Sequence, residues 1–194
     1  MKKNLNLEQF KLNQKKRAQI KNQIPMCLWL TGLSGSGKSS LANKLEQKLY
    51  QLGKHTYILD GDNLRHGLNL DLGFTIDDRN ENVRRTAEMA KLMVDAGLIV
   101  IVAIISPFKK EREWANSLFK KNQFKEIYVS TALAECENRD VKGLYKKARR
   151  GDIKDLTGID SPYEPPENPT VSIDTKDKSV EDCVKYILQK VYTE

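Results

Sequence analysis

The chain has 194 residues, 33 of them Lys or Arg against 26 acidic, which leaves a net charge of +7. That length fits one domain and lets folding bury about 70% of the unfolded surface, so no disulfide or metal staple is required. Cys27, Cys136 and Cys183 are odd in number, far apart and without a C-x-x-C pair. This excludes a disulfide framework and fits buried thiols in a reducing compartment.

In chain order, residues 1–24 come first, as a basic extension. Up to Pro25, Lys2, Lys3, Lys11, Lys15, Lys16, Arg17 and Lys21 stand against Glu8 alone, so the remaining body is close to neutral. A basic tail on a near-neutral body is a poor match to a nucleic-acid groove. The tail reads as a solvated or partner-contacting segment, and Leu5, Leu7, Phe10 and Leu12 give it some amphipathic character. Asn, Gln and Lys interrupt every apolar run before Pro25, so no secretory leader is expected, and no run reaches the roughly 18 apolar residues of a membrane helix. The expected location is the cytoplasm, with neither membrane nor nucleic acid as partner.

From Pro25 onward, strand-like apolar runs at 26–31, 56–59, 98–105, 124–130 and 170–173 alternate with helical patterns. Leu41, Leu45, Leu49 and Leu52 carry a helix over 39–52 that closes at Gly53. A second helix over 77–96 opens on acidic residues and stops at Gly97, a third runs over 109–121, and a last one over 179–191 begins with Ser179 and Asp182 as a capping pair. The alternation predicts an α/β domain over 25–194, a parallel sheet with helices on both faces. The run at 98–105 is apolar on both faces and predicts a central strand. Residues 140–169 break the rhythm: Lys142, Lys146, Lys147, Arg149 and Arg150 crowd a stretch that then dissolves into Gly and Pro, the composition of a mobile basic lid.

Gly32-Leu33-Ser34-Gly35-Ser36-Gly37-Lys38-Ser39 satisfies G-x-x-x-x-G-K-[ST] between an apolar strand and an amphipathic helix. Glycines allow successive N–H groups to turn inward on phosphate oxygens, and the helix N-terminus adds partial positive charge. Lys38 would reach the β- and γ-phosphates of ATP, and the Ser39 hydroxyl would ligate Mg²⁺. A guanine-reading N-K-x-D is missing, since the nearest stretch, Glu137-Asn138-Arg139-Asp140, lacks its lysine. A motor or helicase would need a larger chain. A kinase of a small metabolite fits both the size and the basic lid.

The second strand runs into Asp60-Gly61-Asp62-Asn63-Leu64-Arg65. Carboxylates at the carboxyl end of a parallel strand stand where α/β sheets bind ligands. One can hold Mg²⁺ through water and the other can accept a proton from an attacking hydroxyl, although D-G-D-N is equally good turn or helix-cap chemistry. Arg79 and Asn82 share a helix face at i, i+3 and, with Arg65, supply two guanidiniums and an amide for an anionic substrate. Arg84, Arg85 and Glu88 read as ordinary helix surface.

Six ordered motifs carry a family resemblance: W-L-T-G-L-S-G-S-G-K-S at 29–39, D-G-D-N-L-R-H-G-L at 60–68 with D-L-G-F at 71–74, R-x-E-N-x-R-R at 79–85, I-S-P-F at 105–108, K-G-L-Y-K-K-A-R at 142–149 and T-G-I-D-S-P-Y-E at 157–164. Together they resemble adenylylsulfate kinase from about Pro25 to the C-terminus. The resemblance implies transfer of the γ-phosphoryl of ATP to the 3′-hydroxyl of adenosine 5′-phosphosulfate (APS). It implies that Arg65, Arg79 and Asn82 hold the phosphosulfate, that Phe74 stacks on the adenine, and that Asp62 is the base and Asp60 a ligand of Mg²⁺-bound water. Ile105 and Ser106 with Lys142 and Leu144 complete the acceptor pocket, and Arg149 joins the loop residues in binding ATP. The family motif also places a phosphoserine intermediate at Ser106, whereas direct in-line transfer needs no enzyme nucleophile and the sequence shows no base beside it. A homodimer and a sulfurylase association belong to the same implied picture. The chain departs from the family at Ser40, Val141 and Leu156. At the last, the family usually has Phe, and Leu would leave the second adenine face without a ring. Two other readings stay open on the residues alone: a kinase of another nucleotide or small metabolite, and a non-catalytic ATP-binding regulator.

Overall fold

The apolar runs assemble into one five-stranded sheet in the computed structural model, which describes residues 6, 8 and 10–192. Leu5 and Leu7 of the basic extension lie outside the described residues. Strands β1 (Met26–Thr31), β2 (Thr56–Asp60), β3 (Ile99–Ala103), β4 (Phe124–Val129) and β5 (Val171–Ile173) are ordered β2-β3-β1-β4-β5. Every neighbouring pair is parallel. The run read as the central strand is flanked on both sides, by β2 and β1, while β1 holds the middle position.

Parallel strands need crossovers, and the amphipathic helices supply them. Along β1 the side chains alternate between two cores: Leu28 and Leu30 face α2 (Lys38–Gln51) and α8 (Val180–Val191), while Cys27 and Trp29 face α4 (Ile76–Asp95) and α5 (Lys109–Ser117). Leu41, Leu45 and Leu49 of α2 are buried as their spacing requires, and Leu52 is exposed where the helix closes. All three cysteines are buried.

The long elements match the sequence reading to within a residue or two at every end except the carboxyl end of α5. β3 ends at Ala103, because the chain then leaves the sheet towards Ser106. α5 stops at Ser117, where tight turns from Ala115 and Asn116 swing Phe119 onto Phe124, with ring centroids 5.4 Å apart.

Four short helices have no counterpart in the apolar pattern: α1 (Gln14–Gln19), α3 (Gly61–Arg65), α6 (Leu133–Arg139) and α7 (Leu144–Arg149). α1 docks the inner part of the basic extension onto the domain. Ala18 is buried against Gly97, where an added Cβ would stand 2.9 Å from the Ala18 nitrogen, and Arg17 pairs with Asp95. Gln23 donates to the Gly97 carbonyl at 2.7 Å and to the His55 carbonyl at 3.0 Å. All of these contacts lie at the amino ends of the strands. The basic lid has a core of its own, in which Cys136, Tyr145 and Leu156 pack with Leu33, Leu133 and Leu144.

Candidate active site at the carboxyl ends of the strands

The turn from β1 into α2 is possible only with glycine at its first position. Gly32 has φ of 150°, and a Cβ there would stand 2.5 Å from the Val129 carbonyl of the neighbouring strand. Gly37 caps α2 in the left-handed region at φ 101° and offers no side chain, so the first N–H groups of the helix are available to an anion. Lys38 folds over this loop and donates from Nζ to the carbonyls of Gly32 at 2.9 Å and Leu33 at 2.6 Å. It is only 8% exposed. Burial, against the weaker attraction of Cys136, Asp60 and Asp62, lowers its pKa to about 8.

The loop is braced largely by residues outside the sequence motifs. The hydroxyls of Thr131 after β4 and Thr175 after β5 lie 3.2 and 2.9 Å from the Ser36 carbonyl and 2.8 Å from each other, so their two protons are shared among these three contacts. Arg139 fixes Thr175 through its hydroxyl at 2.8 Å, and Tyr145 of the lid donates to the Ser34 carbonyl at 2.8 Å. These partners lie far away in sequence and act through single polar groups, which leave no periodicity. Leu33, by contrast, turns its side chain towards Gly158 and the lid.

Asp60 takes the helix-cap role with one carboxylate oxygen and turns the other to the phosphate loop. Its Oδ1 caps α3, accepting from the Asp62 and Asn63 nitrogens at 3.0 and 3.5 Å, while its Oδ2 accepts from the Ser39 hydroxyl at 2.7 Å. Asp62, one residue into the helix, is exposed and pairs with Lys142 from the lid. Arg65 donates to the carbonyls of Leu72 and Gly73 at 3.0 and 2.7 Å, and its guanidinium lies over the Phe74 ring at 4.4 Å. Phe74 is 65% exposed, so its ring offers an open apolar face.

Arg79 binds the Phe74 carbonyl through Nε at 2.8 Å and reaches the lid at the Asp155 carbonyl and the Thr157 hydroxyl. Asn82 is buried beside it and accepts from Asn69 at 3.0 Å. Arg84 and Arg85 pair with Glu81, and Arg85 also with Asp71, as expected of helix surface.

Ile105 and Ser106 follow β3. The Ser106 hydroxyl is turned inward, 2% exposed, and accepts from the Trp29 indole at 3.1 Å. An indole N–H is a donor only, so it cannot take a proton from this serine. Arg149 lies on the exposed side of α7, paired with Glu137. Leu144 packs into the lid core, and so does Leu156, which is 9% exposed. The expected open adenine face at Leu156 is therefore replaced by a buried contact in this structure.

A glycine-cradled anion site beside two strand-end carboxylates, on a doubly covered parallel sheet, defines a P-loop phosphotransferase. The family model described as adenylylsulphate kinase matches residues 24–174, and the chain belongs to that family. It is 56% identical over 172 residues to a probable adenylyl-sulfate kinase of Halalkalibacterium halodurans, covering 89% of this chain and 83% of that one. The same identity holds over 172 residues of the bifunctional enzyme CysN/CysC of Xylella fastidiosa, of which the chain spans 28%. Among solved structures, that of the Mycobacterium tuberculosis APS kinase CysC in complex with AMPPNP and APS superposes with a TM-score of 0.83 at 46% identity, over 87% of this chain and 98% of that one. The reaction of this chain is ATP-dependent phosphorylation of APS to 3′-phosphoadenosine 5′-phosphosulfate.

Proposed function

We propose that the γ-phosphoryl passes directly from ATP to the 3′-hydroxyl of APS, with Asp62 as general base. The observation that supports this reading is the 2.7 Å bond from Ser39 on the phosphate loop to Asp60, since it ties the carboxyl end of β2 to that loop. Lys38 and the amino end of α2 bind the β- and γ-phosphates and stabilise charge on the transferring group. Ser39 Oγ and the Asp60 carboxylate are hard oxygens of the type Mg²⁺ accepts, with phosphates and water completing its shell. When bound there, Mg²⁺ would neutralise charge on the β- and γ-oxygens.

On the acceptor side, Arg65, Arg79 and Asn82 would hold the phosphosulfate and Phe74 the adenine, with the Ile105–Ser106 backbone, Lys142 and Leu144 closing the pocket. Lys142 contributes a mobile cation: its pairing with Asp62 can be exchanged for an anionic oxygen of the substrate, which frees the carboxylate to accept the hydroxyl proton. Arg149 would reach ATP by leaving its exposed pairing with Glu137.

The reading assigns Ser106 a placing role, because its hydroxyl is buried against an indole and has no base. Ser106→Ala should slow turnover without abolishing it. A stoichiometric radiolabel on Ser106 that chases into product at a competent rate would overturn direct transfer. The proposal extends to a cytoplasmic homodimer, read by light scattering of the purified protein. It also extends to a sulfurylase association, supported by the joining of a similar segment to a further activity in the bifunctional Xylella protein.

A further inference from the structure

Arg112 is the most buried guanidinium among the described residues, 2% exposed, and none of the substrate contacts requires it. It stands on α5, behind the acceptor pocket, and its planar fork spreads over three separate segments. Nε donates to Glu126 Oε1 on β4 at 2.9 Å, Nη1 to the Ser106 carbonyl at 2.8 Å, and Nη2 to the Glu164 carbonyl at 2.7 Å. Ser106 has φ of 40°, a backbone region uncommon for residues other than glycine. The Nη1 bond fixes the peptide that follows that turn.

Glu164 ends the T-G-I-D-S-P-Y-E segment of the lid, and the same junction is sewn to the loop after β3 from the other direction. The Glu164 nitrogen donates to the Pro107 carbonyl at 2.8 Å, and the Lys109 nitrogen donates to Glu164 Oε2 at 2.7 Å. Beside it, the Tyr163 hydroxyl and Thr31 Oγ1 are 2.9 Å apart, and Thr31 donates to the Ile105 carbonyl at 2.7 Å. The Tyr163 ring stacks on Tyr128 and faces the Arg112 guanidinium at 5.8 Å.

We propose that Arg112 is a positioning residue for phosphoryl transfer: its fork locks the Ile105–Ser106 turn and the carboxyl end of the lid into one rigid acceptor wall. The inference rests on the acceptor placement proposed above. It separates the two halves of the site, because the phosphate loop is braced from the other side of β1, by Thr131 and Thr175. A charge partner for Glu126 could equally be a lysine, whereas two diverging carbonyl bonds need the guanidinium geometry. Arg112→Lys therefore keeps the buried ion pair and removes the wall.

The test is steady-state kinetics of wild type, Arg112→Lys and Arg112→Met, with APS and ATP varied separately and folding checked by thermal melts. Arg112→Lys should raise KM for APS about tenfold and lower kcat while KM for ATP stays within about twofold, the scale expected for losing hydrogen bonds from a charged donor. A folded Arg112→Lys with wild-type constants for APS, or with both KM values rising together, overturns the proposal. Wild-type turnover on APS reports separately on the functional reading itself. Should neither variant fold, hydrogen exchange on the wild type decides: with ADP and APS bound, amides of 105–109 and 161–164 should gain protection together. Independent exchange of the two segments overturns the proposal.

Discussion

Lys38 shows how a single buried cation can report on the site. Its ammonium is held by two backbone carbonyls and its pKa is lowered to about 8, chiefly by burial. A polyphosphate brings opposite charge to within contact and raises that pKa again. ATP binding at about pH 9 should therefore take up close to one proton, and the uptake should vanish near neutrality, where Lys38 is already charged. Calorimetry in two buffers of different ionisation heat measures this directly; identical heats at the higher pH would remove Lys38 from the phosphates. For stability the sign is the reverse of an ion pair's. The folded pKa lies below the ordinary 10.5, so the unfolded chain binds more protons between the two values and this group adds stability as pH rises from about 8 to 10.5. For Asp62, replacement by Asn keeps shape and removes proton acceptance, a loss of roughly 10²- to 10⁴-fold in kcat for a general base. A fall of less than about threefold would leave Asp62 a helix residue near the site and nothing more.

At the scale of elements, the sequence and the structure agree where apolar periodicity runs for several turns, as in α2, α4 and α8, and where a strand is apolar on both faces, as in β1 and β3. They part where an element is too short to show a period. α3 has five residues and begins with glycine, and α7 has six, four of them basic or polar. The site motifs were legible because phosphate chemistry demands particular residues at fixed spacing. The braces at Arg112, Thr131 and Thr175 were not, since they act through polar contacts between segments remote in sequence, 139 positions apart for Thr175 and Ser36, and such contacts leave no periodicity. Trp29 and Thr31 fall inside a motif, but their bonds to Ser106 and Ile105 could not be read from it. Leu156 shows a second limit. The family resemblance put this position on the second adenine face, but the side chain is packed with Tyr145 and Cys136. A larger ring there overfills the lid core, which costs about 1–3 kcal/mol. That corresponds to a fall in Tm of a few degrees, roughly 2–4 °C per kcal/mol for a chain of this size. Thermal melts and APS titration of Leu156→Phe check this: tighter APS binding with an unchanged Tm would return Leu156 to the adenine face.

For the whole molecule, the sheet has a working end and a supporting end. The phosphate loop, Asp60, Asp62 and Ser106 follow the carboxyl ends of their strands, and the docked part of the basic extension, with Arg17 on Asp95, sits at the amino ends. The docked cation Arg17 is thus kept away from the phosphate loop, and the proposed mechanism relies on individual cations: Lys38, Arg65, Arg79, Lys142 and Arg149. Among the described residues no helix is long and apolar enough to cross a membrane. The proposed mechanism gathers its substrate-facing groups at the one working end and uses them for a single transfer between two bound nucleotides. The most direct test of that arrangement is the stereochemical course at phosphorus, followed with ATP made chiral at its γ-phosphoryl group and APS as acceptor. One in-line displacement inverts the configuration, and inversion is the predicted result. Retention would require two displacements through an enzyme-bound phosphoryl group, and it would contradict direct transfer, as would the absence of phosphorylated APS.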